Sequence, residues 1–303
     1  MSIFLLHYHE TYFNVLRINF IMESAVLEFE SDYFTLFKLQ EGVYAAIAKD
    51  ISITGANAGF FDIGDYVILY DTMIAPKATK DLLKAVQFTC SKKIGFVINS
   101  HFHYDHILGN HAISPSIPII GSSDNLKMIE EQTLVDLQRF QKDARKEIKK
   151  LDELLKTETE PSKLFEINTR LDFYLTISHQ NFNLRIPDVI FNKHLKIHGR
   201  KRSVEIIDIG AAHSVSDVIA YLPDDETCFF GDLLLENIDP SLIDKTTGIP
   251  DSVNPKNQLK VLRTYFEKDL KYAVPGHGKL APSKILFKSN IEFLRLKYPD
   301  AFS

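Results

Sequence analysis

Cysteine is scarce in this chain: Cys90 and Cys228 are the only two among 303 residues. Two thiols cannot build a disulfide framework, which excludes the stapled secreted class and agrees with a reducing, cytoplasmic setting. Long apolar runs are lacking too, and no stretch approaches the roughly 20 residues that span a bilayer. Positive charge is not in excess. Lys and Arg total 35 against 40 Asp and Glu, a net charge of −5, so nothing supports coating nucleic acid. Repeats and low-complexity tracts are absent. Residues 3–6 form a short apolar run with no Lys or Arg ahead of it, whereas a signal peptide wants a basic start and an apolar stretch of about 7–15 residues. Met22 opens a more regular segment, so residues 1–21 read as an N-terminal extension, and 22–303 as the folded domain. With 45% hydrophobic and 25% charged residues, the composition is that of an ordinary globular protein.

The pattern along the chain alternates strands and helices. Residues 33–39 and 43–49 are β-branched and aromatic runs around Glu41-Gly42, which predicts a hairpin. A buried strand follows at 65–71, a helix opens near Pro76 and runs through 80–88, and a strand at 94–98 leads into a polar loop. A loop at the carboxyl end of a strand is where α/β folds place chemistry. Residues 122–180 differ: Asp124 is a candidate cap, and leucines and isoleucines recur at helical spacing on both sides of Pro161. This predicts an inserted pair of antiparallel helices, either a structural decoration or a lid over substrate. Strands return at 189–191, 195–198, 204–208, 218–222 and 227–230. A helix at 255–266, a strand at 272–274 and a helix at 282–296 close the chain. Two similar halves, 33–121 and 187–303, suggest two packed sheets covered by helices.

The loop reads Asn99-Ser100-His101-Phe102-His103-Tyr104-Asp105-His106, with four potential metal ligands within six residues. His101 and His103, two apart, present imidazoles on one side of extended chain, while Asp105 and His106 turn towards a second point. Imidazole nitrogen with carboxylate oxygen is a suitable donor set for zinc. Three further residues each follow a predicted strand beside glycine: His213 in Gly-Ala-Ala-His-Ser, Asp232 in Phe-Gly-Asp, and His277 in Pro-Gly-His-Gly. Together these complete two sites, His101 with His103 and His213, and Asp105 with His106 and His277, with Asp232 placed to bridge them. Three histidines on one ion leave a position open for water, as in catalytic zinc sites. Two close dications lower the pKa of a shared water and direct hydroxide at an electrophilic carbonyl, phosphorus or sulfur. Asp105 is the expected catalytic side chain, orienting that hydroxide as well as binding metal.

These motifs resemble the metallo-β-lactamase fold superfamily. HFHYDHILGN is similar to its HxHxDH loop, and GAAHS, FFGDLL and VPGHG resemble its later metal motifs in the same order, over about residues 33–300. The resemblance implies an αββα sandwich with a dinuclear site at one edge, and the metal-ligand roles already given. It also implies that Asp71 supports the histidine loop, an ordinary turn aspartate being the equal alternative. The expectation is a zinc-dependent hydrolase holding about two Zn2+ per chain, with Fe2+ as the alternative metal. An iron oxidoreductase like the persulfide dioxygenases uses a His/His/Asp set from the same motifs and is the rival reading.

Departures from the branches of the superfamily narrow the substrate. Many β-lactamases have cysteine where Asp232 stands and, three residues on, a lysine for the drug carboxylate; here that position is Leu235, which leaves at most weak β-lactamase activity. Glyoxalase II-like enzymes have a second histidine where this chain has Asp217, and flavodiiron proteins have glutamate in place of His103. An acidic chain offers no tRNA exosite of the kind expected of RNase Z-like enzymes. A small ester, lactone, thioester or amide-type molecule remains as the partner, with neither nucleic acid nor membrane, and a homodimer is compatible. His7 and His9 fall in the extension and read as free of metal. His179, His194 and His198 read as solvated surface, Cys90 and Cys228 as small buried apolar residues, and Lys201-Arg202 as a solvated hairpin. Of Phe102 and Tyr104, one is expected to pack inward, with Tyr104 the candidate for touching substrate.

Overall fold

The computed structural model describes residues 24–49, 55–236 and 252–301. The expected extension, with His7 and His9, lies outside the described residues. From Ser24 the chain meanders through β1 (Ala25–Val26), β2 (Phe34–Gln40), β3 (Val43–Ala48), β4 (Ala58–Asp62) and β5 (Val67–Tyr70), each antiparallel to the next. Helix α1 (Pro76–Cys90), begun by its proline, crosses over to β6 (Ile94–Ile98), which is parallel to β5. The one-turn α2 (Tyr104–Ile107) follows, then β7 (Ile119–Ser122), α3 (Ser123–Met128), α4 (Leu134–Leu155), α5 (Pro161–Ile177) and β8 (Val189–Phe191). β7 and β8 add in parallel and complete an eight-stranded sheet in sequence order. The second sheet runs β13-β12-β11-β10-β9, from β9 (His194–His198), β10 (Ser203–Gly210), β11 (Asp217–Leu222), β12 (Thr227–Phe229) and β13 (Tyr272–Val274). Helix α6 (Pro255–Glu267) precedes β13 and α7 (Ser283–Lys297) follows it.

Burial explains the layering. Phe61, Ile68, Ile98 and Ile120 of the first sheet pack against Ile206, Val218, Phe229 and Tyr272 of the second. The outer face of the first sheet is covered by Leu82, Ala85 and Val86 of α1, and that of the second by Leu262 of α6 with Phe287 of α7. The result is the expected αββα sandwich. Strands β4 and β5 are buried along their whole length because both faces are covered, so they show no polar alternation. No helix among the described residues is long and apolar enough to cross a membrane.

Four local expectations are corrected. Strand β4 went unread, since Ala58-Gly59 carries little strand propensity and its burial is continuous. The halves are not split at 187: β8 pairs with β7 in the first sheet. Helix α3 is capped by Ser122, whose hydroxyl accepts from the Asn125 amide, rather than by Asp124. Of Lys201-Arg202 on the β9–β10 hairpin, Lys201 is exposed as expected but Arg202 is not solvated. The Arg202 side chain is only 9% exposed and bonds Asp225 at 2.7 Å, while donating to the carbonyls of Glu41 and Asp62. It ties the hairpin turn of one sheet to the far end of the other.

Asp62 anchors the same corner, accepting from Lys92 at 2.8 Å and Lys201 at 2.7 Å. Burial alone raises its carboxyl, but the two lysine hydrogen bonds outweigh this and bring the pKa down to about 2. A depressed carboxyl contributes stability above its unfolded pKa near 4, and that contribution is lost as pH falls through the folded value. Asp62→Asn is therefore expected to cost about 1–2 kcal/mol at pH 7. The gap to the parent chain should close between about pH 4 and pH 2 in urea melts. A gap that stays constant over that range would contradict this assignment.

Candidate metal centre

The structure brings all seven sequence-predicted residues together at one edge of the sandwich. β6 ends at Ile98 and delivers His101 and His103 in extended chain, after which α2 carries Asp105 and His106. His213 sits on the β10–β11 connection, Asp232 on the turn after β12, and His277 just past β13. β5 and β6 run parallel, as do β12 and β13, so their carboxyl ends converge on this edge.

Two donor groups form. His101, His103, His213 and Asp232 each place one ligand atom within 4.8 Å of the others, and Asp105, His106 and His277 do the same. In the first group His101 Nε2 is 2.9 Å from His103 Nδ1, and Asp232 Oδ2 is 3.5 Å from His213 Nε2. In the second, Asp105 Oδ2 lies 3.1 Å from His277 Nε2 and 3.8 Å from His106 Nε2. Asp232 faces both: its Oδ2 is 3.3 Å from His277 Nε2 and its Oδ1 3.1 Å from His106 Nε2. Ligands held about 2.0–2.1 Å from a tetrahedral ion stand about 3.4 Å apart, so these spacings suit a metal. The buried His106 Nε2, His277 Nε2 and Asp232 Oδ1 make no well-aligned hydrogen bond with one another although they stand close, as donor atoms turned towards a common point would.

Protonation in the metal-free chain tells the same story. Burial drives His101 and His103 down, His103 to about 3, so both imidazoles are neutral and ready to donate lone pairs. Burial works against charge on His106 and His277 as well, but Asp232 and Asp105 overcome it, raising His106 well up and His277 to about 9. Asp105 and Asp232 are held low against burial by those same histidines. Protons on His106 and His277 thus stand where cations would otherwise balance the carboxylates.

Partners behind the ring nitrogens fix the tautomers. Asp71 Oδ2 takes His106 Nδ1 at 2.8 Å, and Asp71 Oδ1 takes the Ser100 amide at 2.8 Å. The Ser100 hydroxyl lies 2.9 Å from His101 Nδ1. A carboxylate only accepts, so Nδ1 of His106 carries a proton and its Nε2 faces the site. Asp71 is therefore no ordinary turn residue: it is fully buried and holds φ +58° to make these contacts.

Sequence reasoning missed Ser100 and Asn57, whereas Gly276, expected as a glycine that lets backbone approach the site, does so against Asp232. A β-carbon on Gly276 would lie 2.1 Å from Asp232 Oδ1 and 2.5 Å from the Gly231 carbonyl carbon. Gly276→Ala is expected to displace Asp232 and lower metal affinity about 10–100-fold, read by competition with a chelator. Unchanged affinity would mean that the loop yields without moving Asp232. Glycine beside a ligand was the one available signal; Ser100 and Asn57 carry none in sequence.

The inserted helices pack against the histidine loop. Contacts Gln141–Ile177 and Glu147–Arg170 run in opposite directions along α4 and α5, so the pair is antiparallel as expected. Phe102, Ile107 and Leu108 share a cluster with Ile129, Leu137 and Ile177. A π-helical turn at Ile129–Thr133 presents Thr133, whose hydroxyl donates to the Phe102 carbonyl at 2.9 Å and whose own carbonyl accepts from the Tyr104 hydroxyl at 2.8 Å. Tyr104 thus faces the insertion, edge-to-face with Phe140 at 5.5 Å between ring centres. His179, His194 and His198 are exposed, Cys228 is buried and Cys90 is half-buried.

A family model described as the metallo-beta-lactamase superfamily matches residues 52–277. Comparison with curated proteins gives no significant match. Among solved structures, a metallo-beta-lactamase from Pontibacter korlensis is 15% identical with a TM-score of 0.56, over 90% of this chain and 99% of that one. The DIM-1 metallo-beta-lactamase is 14% identical with a TM-score of 0.59, over 88% and 100%. FIM-1 from Pseudomonas aeruginosa, in a mono-zinc form, is 14% identical with a TM-score of 0.58, over 89% and 97%. At these identities the likeness is one of fold.

Proposed function

The chain belongs to the metallo-β-lactamase superfamily, and on that premise we propose that it is a metal-dependent hydrolase of a small ester, lactone, thioester or amide-type substrate, working with two zinc ions. The observation that carries this reading is Asp232, one buried carboxylate within 3.1–3.5 Å of a histidine from each donor group. His101, His103 and His213 would hold one ion, Asp105, His106 and His277 the other, with Asp232 between them. When bound, the ions supply Lewis acidity and bring the pKa of water towards neutrality.

The chain's own residues supply the rest. Ser100 and Asp71 lock the imidazoles so that little reorganisation accompanies the reaction. Asp105 is the most exposed carboxylate of the site, at 26% against 1% for Asp232, and so is the group placed to orient a nucleophile. Leu235 stands three residues beyond Asp232 and pairs with His277, leaving no cation there for a substrate carboxylate. Zinc is favoured by the nitrogen-rich donor set and by the mono-zinc form of FIM-1. A small-molecule substrate accords with the acidic chain.

The test is a panel of lactones, thioesters, aryl esters and a β-lactam, run on zinc-loaded and chelator-treated protein. Zinc-dependent turnover of an ester-type substrate is expected, with the β-lactam slowest. Oxygen consumption with a thiol substrate by iron-loaded protein, and no hydrolysis by the zinc form, would establish the persulfide dioxygenase-like alternative instead.

A further inference from the structure

Just ahead of β4, the segment Gly55–Asn57 meets one ligand of the second donor group, Asp105, and the loop that carries another, His277. Asn57 is 3% exposed and fully engaged. Its Nδ2 donates to the Pro275 and Gly278 carbonyls, both at 3.0 Å, and its amide donates to the Gly276 carbonyl at 2.7 Å. Its Oδ1 accepts from the Ala48 amide of β3 at 2.9 Å. One side chain thus grips the loop on both sides of His277 and fastens it to the opposite sheet. Two residues earlier, Gly55 holds φ +71° against Asp105, where a β-carbon would lie 2.6 Å from Asp105 Cβ.

We infer that the Gly55–Asn57 segment is a positioning element chiefly for the second metal ion, setting how far His277 and Asp105 stand from His106. His106 is anchored elsewhere, by Asp71, while the turn that carries Asp232 accepts from the Gly276 amide at 2.8 Å and so meets the segment only through that loop. His101 and His103 hang from β6, and the His213 loop is held from Ser252 and Asn254, so these three ligands of the first donor group are anchored away from the segment, and only the shared Asp232 meets the gripped loop, at Gly276. An asparagine is needed because two carbonyls must be met by donors while a strand amide is met by an acceptor, and only an amide side chain of this length offers both. The inference rests on the two-ion reading above.

The experiment is a titration of metal-free full-length chain with Zn2+ against a chromophoric chelator, for the parent, Asn57→Asp and Gly55→Ala. Asn57→Asp keeps size and the Oδ1 acceptor but turns an oxygen towards the two carbonyls. Gly55→Ala acts from the Asp105 side without touching Asn57, so each variant covers for a folding failure of the other, checked by circular dichroism. The parent is expected to take up about two ions, and each variant to keep the first with affinity within about threefold while the second weakens at least about tenfold. A folded variant that keeps both ions, or loses both in parallel, overturns the inference while leaving the two-ion reading intact. A parent that binds a single ion defeats that reading and the inference with it.

Discussion

Asp232→Ala is expected to abolish hydrolysis while the chain stays folded. The carboxylate faces four histidine nitrogens, at 3.1 Å for His106, 3.3 Å for His277, 3.5 Å for His213 and 3.9 Å for His101. Removing it takes a donor from the first group and the carboxylate that the second group's histidines face, so a loss of at least about 10³-fold in kcat/KM is expected, about 4 kcal/mol of transition-state stabilisation. The fold should survive because neither sheet is held by this side chain: the cores lie between the sheets and under α1, α6 and α7. Asp232→Asn serves as the control for shape, since it preserves volume but loses the charge that balances His106 and His277. If both variants hydrolyse substrate at near the parent rate, the site assignment is wrong. His101→Ala should behave like Asp232→Ala in activity but affect the first donor group most.

Replacing α4 and α5 by a short glycine-serine linker is expected to cost metal together with activity. From sequence, a lid and a structural decoration stood as equals for this insertion. The contacts favour support: Phe102 lies between two ligands, is 4% exposed, and packs with Ile129, Leu137 and Ile177. Uncovering a phenylalanine and its neighbours removes roughly 1.5–3 kcal/mol of burial per large side chain from the loop that must hold His101 and His103 in place. Tyr104, between His103 and Asp105, would lose its bond to Thr133 at the same stroke if the π-helical turn relaxed. Elemental analysis and kinetics on the shortened chain separate the two roles. Metal content falling with kcat supports the scaffold role, whereas full metal content with a changed KM or substrate range would restore the lid.

The ligand loop was legible because its chemistry is dense: four donors in six residues on a strand-to-loop transition need no tertiary information to stand out. His213, Asp232 and His277 were legible as a set, each following a predicted strand beside glycine, and the fold placed them together. Helices with strong apolar spacing, at Pro76–Cys90 and Pro255–Glu267, lay close to their expected bounds. What escaped was long-range. β4 hides because a strand covered on both faces has no alternation to read. Asn57 acts on residues more than two hundred positions away, and Arg202 ties turns that are distant in sequence. Neither has a local signature, because the partners are supplied by sheet pairing and not by neighbours in the chain. Asp71 was placed by resemblance alone, and its buried contact with His106 now gives it a physical role.

If one carboxylate joins two metal positions, the metal content per chain must follow it. Elemental mass spectrometry on protein purified without chelator or affinity nickel should find about two zinc ions per chain in the parent, with a marked loss in Asp232→Ala. About one iron per chain, or metal content unchanged by Asp232→Ala, would contradict it.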